Sequence, residues 1–202
     1  MGYEDLWDLL NDINSTILLN DAATRNSMRD LSSLMKITEY LYSKAGNLIS
    51  PFFTSKELKM NDKTVNSYLR IIEGSLLVIR APRYDMVGKK SLKGTCKYYA
   101  TDTGIRNAYL RSRDRDIGRL AENAVFLELK RRGYMVAVGK YGDAEIDFTA
   151  DKNSVTEYYQ VAKTIVDETV LKREIKPFEE TDDNYLKTII TWMSLRKRMS
   201  GG

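Results

Sequence analysis

The 202-residue chain carries 32 Lys and Arg against 28 Asp and Glu, with 43% hydrophobic residues, a single Cys and no His. The lone Cys96 excludes an internal disulfide and a zinc site of its own, and the lack of His removes the commonest general base and metal ligand, so any catalysis must rest on carboxylates, Lys or Tyr. Apolar runs such as Leu76 to Ile79 fall far short of the roughly 20 residues a membrane span needs, so a soluble, cytoplasmic chain is expected, whose net charge of +4 is compatible with nucleic-acid binding without demanding it.

Leu6, Leu9, Leu10 and Ile13 recur at helical spacing, and a second apolar group follows at Ile17 to Leu19, which predicts short helices in an N-terminal segment over 1–29. From Ser27 to Ala45, Leu31, Leu34, Met35, Thr38, Leu41 and Tyr42 form one helical stripe that Gly46 ends. Thr54 with Glu57 reads as a capping box for a short helix. After the turn at Met60 to Asp62, a second helix runs from Thr64 to Glu73, capped by Asn61 or Asp62 and stopped by Gly74. Strands are expected at Leu76 to Arg83 and Lys97 to Thr101, around a basic loop holding Lys89, Lys90 and Lys93. The order helix, helix, helix, strand, loop, strand is that of a winged helix-turn-helix over 30–111.

The charged stretch Arg111 to Asp116 reads as a linker to a second domain over 112–195. A helix over Ile117 to Arg132 is followed by strands at Tyr134 to Val138, Glu145 to Thr149 and Thr156 to Ala162. A charged helix from about Asp167 to Glu180 and a strand at Tyr185 to Trp192 complete the order αβββαβ. The tail, 196–202, is basic and then Gly-rich and is expected to fray.

Two groups of residues carry chemistry. On the helix Thr64 to Glu73, Val65, Leu69 and Ile72 are expected to face inward. That leaves Lys63, Thr64, Asn66, Ser67 and Arg70 for bases and phosphates in a major groove, or simply for water. Lys89, Lys90 and Lys93 could touch phosphate as a wing, or be solvated. The segment Gly88 to Ser91 superficially resembles a nucleotide-binding loop but lacks the earlier Gly and the Ser or Thr after Lys89, so ATP hydrolysis is not supported.

In the second domain, Glu122 on the helix and Asp147 on a strand fit two ligands of a Mg²⁺ ion that would polarise a phosphodiester. Strand alternation places Tyr158, Gln160 and Ala162 on one face and Glu157, Tyr159, Val161 and Lys163 on the other. If Gln160 takes the acidic position, Ala162 stands where a Lys is needed, and Lys163 would require a bulge or bend to come round. Glu145, on the same strand face as Asp147, could supply the missing charge. The plain alternative for Glu122 is an exposed helix carboxylate paired with Arg119.

Together the segments Asn14 to Asp21, Gly46 to Tyr84, Lys97 to Leu110, Gly118 to Lys140, Glu145 to Ala150 and Tyr158 to Lys163 resemble the C-terminal part of a family of prokaryotic AAA+ ATPases. The stretch "GRLAENAVFLELKRRGY" is the most specific of them. In that family an ATPase module precedes a winged helix and a domain similar to PD-(D/E)XK nucleases and archaeal Holliday-junction resolvases. The resemblance implies an α+β chain cut from a longer protein, with Met1 and Gly2 as start residues. The family's helix Glu corresponds to Glu122, its strand Asp to Asp147, and its E-V-K to Gln160-Val161-Ala162, where the pattern is broken. A DNA-binding or targeting module of an ATPase is expected, with no cofactor in this piece. Its rivals are an active Mg²⁺-dependent endonuclease using Glu122, Asp147, Gln160 and Lys163, with Asp147, Gln160 and Glu122 on the metal, and a protein-interaction module. DNA and the ATPase module are the expected partners, with no membrane, and oligomerisation stays open.

Overall fold

The computed structural model describes residues 3–24, 30–111, 117–165 and 168–194. Helix α1 (Tyr3–Thr16) continues into a π-helical segment (Ile17–Thr24), in place of separate short helices. Helix α2 (Leu31–Ser43) begins where Asp30 caps it, the carboxylate accepting from the Ser33 amide at 3.0 Å. Leu34, Ile37, Thr38, Leu41 and Tyr42 are its buried face. Met35, expected on that stripe, is 46% exposed, because Ile37 takes the inward position. The expected start of this helix at Ser27 lies outside the described residues.

Strand β1 (Leu48–Ile49) leads into α3 (Pro51–Leu58). The capping box expected at Thr54 and Glu57 does not form. Ser50 holds the N-cap position and Pro51 the first helical one, so the helix starts four residues earlier, Thr54 is buried inside it, and Glu57 accepts from the Tyr40 hydroxyl instead. Helix α4 (Asp62–Gly74) is capped by Asn61, whose side chain accepts from the Lys63 amide at 2.9 Å, and it buries Val65, Leu69 and Ile72 as the spacing predicts. Of the strands that follow, β2 (Val78–Asp85) lies two residues later than expected and β3 (Lys90–Ala100) begins seven residues earlier. The basic loop therefore shrinks to a turn at Lys89, with Lys90 and Lys93 in β3. The short α5 (Thr103–Tyr109), capped by Asp102, has no counterpart in the sequence reading.

The second half follows the expected order: α6 (Ile117–Arg131), β4 (Met135–Tyr141), β5 (Ala144–Lys152), β6 (Val155–Ile165), α7 (Glu168–Glu179) and β7 (Leu186–Ser194). The proposed linker over 112–116 and the tail over 196–202 lie outside the described residues.

The fold is mixed α+β, built on one seven-stranded sheet in the order β1-β3-β2-β4-β5-β6-β7. Neighbours are antiparallel except at two seams, β2 with β4 and β6 with β7. The first seam joins the halves of the chain through Arg83↔Val138, Tyr84↔Gly139 and Asp85↔Lys140. Three cores cover the sheet. Leu34, Ile37, Leu41, Val65, Leu69, Ile72 and Tyr98 fill the space between α2, α4 and β3. Under α6, Tyr99, Phe126 and Phe148 stack with ring centroids 4.3–5.8 Å apart. Under α7, Ile146, Tyr158 and Phe178 form the third. Strand β3 is thus covered on both faces, Cys96, Tyr98 and Ala100 packing with the first core and Tyr99 with the second. Among the described residues no helix is long and apolar enough to cross a membrane.

Candidate functional site

The carboxylates singled out from the sequence meet beside the seam between β2 and β4, and a register defect aims one of them. Ala137 pairs with Thr149, but Gly139 pairs with Ile146, so β5 carries one more residue than β4 across that step. This is a β-bulge, a device that re-aims side chains. It lets Ile146 pack under α7 while Phe148 packs under α6, and it leaves Asp147 within electrostatic reach of Glu122, Lys97 and Glu145. Opposite the bulge only Gly139 fits. A Cβ there would lie 2.8 Å from Met86 Sδ, 3.0 Å from Thr149 Cγ2 and 3.1 Å from Ile146 Cβ.

Strands β5 and β6 part at the same point. Their pairing runs from Lys152↔Val155 to Phe148↔Tyr159, and beyond it side chains replace the ladder. The Asp147 amide donates to Gln160 Oε1 at 3.2 Å, and the Val161 amide donates to Asp147 Oδ2 at 2.8 Å. Gln160 thus stands beside Asp147, as its spacing suggested, with its carbonyl oxygen already engaged. Lys163 is exposed, and Ala162 beside it is buried.

Glu122 is not the exposed carboxylate of the plain reading, since its side chain keeps 15% exposure. Its Oε1 accepts from Lys97 Nζ at 2.9 Å and from the Tyr99 hydroxyl at 2.6 Å. The same ammonium lies 3.1 Å from Glu145 Oε1, and Arg83 lies 3.4 Å from Glu145 Oε2. Asn123, next to Glu122, locks α6 over β3: its side chain donates to the Ala100 carbonyl at 2.9 Å and accepts from the Ala100 amide at 3.0 Å. It does what a neighbouring strand would do for that residue.

Lys97, Tyr99, Arg83 and Asn123 escape the sequence reading. The signal for Lys97 is present, since a Lys inside the apolar run Cys96 to Ala100 requires a buried acidic partner.

Burial and then charge set the proton affinity of Asp147. Lys97 and Arg83 bring two positive charges and Glu122 and Glu145 two negative ones, so Asp147 is in excess. Burial, then repulsion from Glu122, lifts its carboxyl from 3.8 to about 7, against the pull of Lys97 and the Val161 amide. Burial works against the Lys97 ammonium, yet Glu122, Glu145 and Asp147 outweigh it and hold this pKa above the ordinary lysine value. Burial, followed by the charge of Glu122, pushes the Tyr99 phenol far up, so it acts as a neutral donor.

The residues do not fit a Mg²⁺ ion. Hard divalent cations need several free oxygen lone pairs directed at one point. Among the described residues no three acidic or Cys side chains form a group able to hold one. An ammonium lies between Glu122 and Glu145. The orphaned buried polar atom at the site is Arg83 Nε, a donor that asks for an acceptor rather than a cation.

The nucleic-acid candidates lie elsewhere. On α4, Lys63, Ser67 and Arg70 are exposed, whereas Thr64 and Asn66 are half-buried and Asn66 donates to the Asp62 carbonyl. Lys89, Lys90 and Lys93 are exposed around the hairpin. Beside the start of α4 lies an open groove lined by Phe52, Lys56, Lys59, Asn61 and Lys63. Lys56 stands 4.5 Å above the Phe52 ring, and Phe53 beside it is 67% exposed.

Two relatives are similar over most of the chain. An uncharacterized protein of Haemophilus influenzae is 35% identical over 188 residues, covering 91% of this chain and 46% of that protein. An uncharacterized protein of Methanocaldococcus jannaschii is 27% identical, covering 92% and 44%. The chain spans a little under half the length of these relatives. No solved structure matches it. Over residues 3–116, more than half of its length, the chain matches the domain of unknown function DUF8612, and it belongs to that family.

Proposed function

We propose that this chain is a nucleic-acid-binding, targeting module of an AAA+ ATPase, made of a winged helix and a PD-(D/E)XK-like domain that no longer cleaves. The observation that carries the reading is the basic face of α3 and α4. Lys56, Lys59 and Lys63 line one groove there and Arg70 is exposed farther along α4, while Lys89, Lys90 and Lys93 are exposed on the hairpin. Lysines of this kind act on phosphates as point charges, and exposed aromatics such as Phe52 and Phe53 suit unstacked bases. Further support comes from element order. β1 lies between α2 and α3, β2 and β3 follow α4, and β1 and β2 flank β3, as in a winged helix, while α6-β4-β5-β6-α7-β7 is the order of the nuclease-like fold. Relatives about twice as long leave room for the ATPase module that the resemblance implies.

Loss of cleavage follows from the site chemistry. Gln160 brings no negative charge, Ala162 brings no ammonium, and Lys97 and Arg83 already neutralise Glu122 and Glu145. The test is fluorescence anisotropy with duplex, single-stranded and four-way-junction DNA at two salt concentrations, plus denaturing gels with Mg²⁺ or Mn²⁺. Salt-dependent binding without cleavage is expected. Cleavage lost in Asp147→Ala would replace this reading with the endonuclease. No binding to any DNA would turn it toward a protein partner, for which the exposed Phe52 and Phe53 would be the contact.

A further inference from the structure

We propose that Lys97 is the resident cation of the Glu122, Glu145 and Asp147 group, and that the group works as a clamp between the two halves of the chain instead of as a metal site. Carboxylates gathered around one point are the ordinary donor set of a hard divalent ion. Here the positive charge comes from the protein itself. The Lys97 side chain is 6% exposed, and its ammonium lies 2.9 Å from Glu122 and 3.1 Å from Glu145.

The covalent origins of these groups give the arrangement its purpose. Lys97, Tyr99 and Arg83 come from β2 and β3, before residue 112, whereas Glu122, Glu145 and Asp147 come from α6 and β5, after residue 116. Backbone pairing between β2 and β4 is limited to Arg83↔Val138, Tyr84↔Gly139 and Asp85↔Lys140. The clamp sits at one end of that seam, since Arg83 belongs to both. Lysine suits the task because its ammonium is compact and can donate in three directions to two carboxylates on different elements. A divalent ion in the same place would stand against a buried like charge.

The inference stands apart from DNA binding, which is read by anisotropy, while the clamp is read by melting and by metal titration. Wild type is titrated with Mn²⁺ by calorimetry, and wild type and Lys97→Met are melted with and without millimolar Mn²⁺ or Ca²⁺. Wild type is expected to take up no ion at this site and to melt at the same temperature with or without it. Lys97→Met is expected to melt at least several degrees lower, with or without ion. The double variant Lys97→Met with Glu122→Gln, which no longer buries an unpaired Glu122 charge, is expected to recover part of that loss.

Saturable Mn²⁺ binding by wild type that disappears in Asp147→Asn would overturn the proposal. That arm decides even if Lys97→Met does not fold. A Lys97→Met protein that melts like wild type would overturn it as well.

Discussion

Replacing Asp147 by Asn should stabilise the fold by an amount that grows as pH rises toward and through neutrality. Asp147 is lifted from 3.8 to about 7, by burial first and by Glu122 second. In the unfolded chain the carboxyl ionises near its ordinary value, whereas in the fold it keeps its proton. Stability from this group is therefore fully present below about pH 4, falls as pH rises and is gone above about pH 7. A shift of about three units at roughly 1.4 kcal/mol each sets a ceiling of about 4 kcal/mol. Because Glu122, Glu145 and Lys97 adjust with it, roughly 2–4 kcal/mol is the working range.

An Asn keeps the oxygen that accepts from the Val161 amide and never ionises, so it imitates the protonated acid. Urea unfolding of both proteins at about pH 5, 7 and 8.5 tests this. Near pH 5, where the carboxyl of the unfolded chain is already ionised, the Asn variant should exceed wild type by no more than about 1.6 kcal/mol. At pH 8.5 it should be the more stable by about 2 kcal/mol or more. A difference between the two that stays constant with pH would refute the burial and repulsion argument.

Asn123→Ala removes both partners of buried Ala100 and should cost roughly 2–4 kcal/mol in urea unfolding, with unchanged secondary structure by circular dichroism. Gly139→Ala forces a methyl against Met86, Thr149 and Ile146 opposite the bulge and should cost about 1–3 kcal/mol, read as a lower thermal midpoint. In DNA titrations, Lys63→Ala and Arg70→Ala should each weaken binding similarly across sequences and lower the salt slope by about 1 per lost phosphate contact, without altering the fold. Binding that keeps its affinity and slope in both variants would remove α4 from the interface.

Period and punctuation in the chain were enough for the αβββαβ order of the second half and for the inward face of α4, because helical period, strand alternation and stop signals are written in the local chain. Glu122, Asp147 and Gln160 came forward together through the chemistry of a nuclease-like site and the family resemblance, since local spacing cannot join α6 to β5 and β6. Competition between local signals went the other way at Thr54, where Pro51 at the first helical position overrode a capping box. Pairing with β2 likewise drew Lys90 out of the expected loop into β3.

What tertiary structure alone decided is non-local. Which strand β2 would join, and so whether one sheet would span both halves, depends on backbone groups that look alike in every strand. The bulge that turns Asp147 and Phe148 to one side is set by the register between β4 and β5. Lys97 acquires its role only when β3, α6 and β5 meet. Burial forbids an unpaired charge there, and the carboxylates that answer it lie 25 and 48 residues away in the chain.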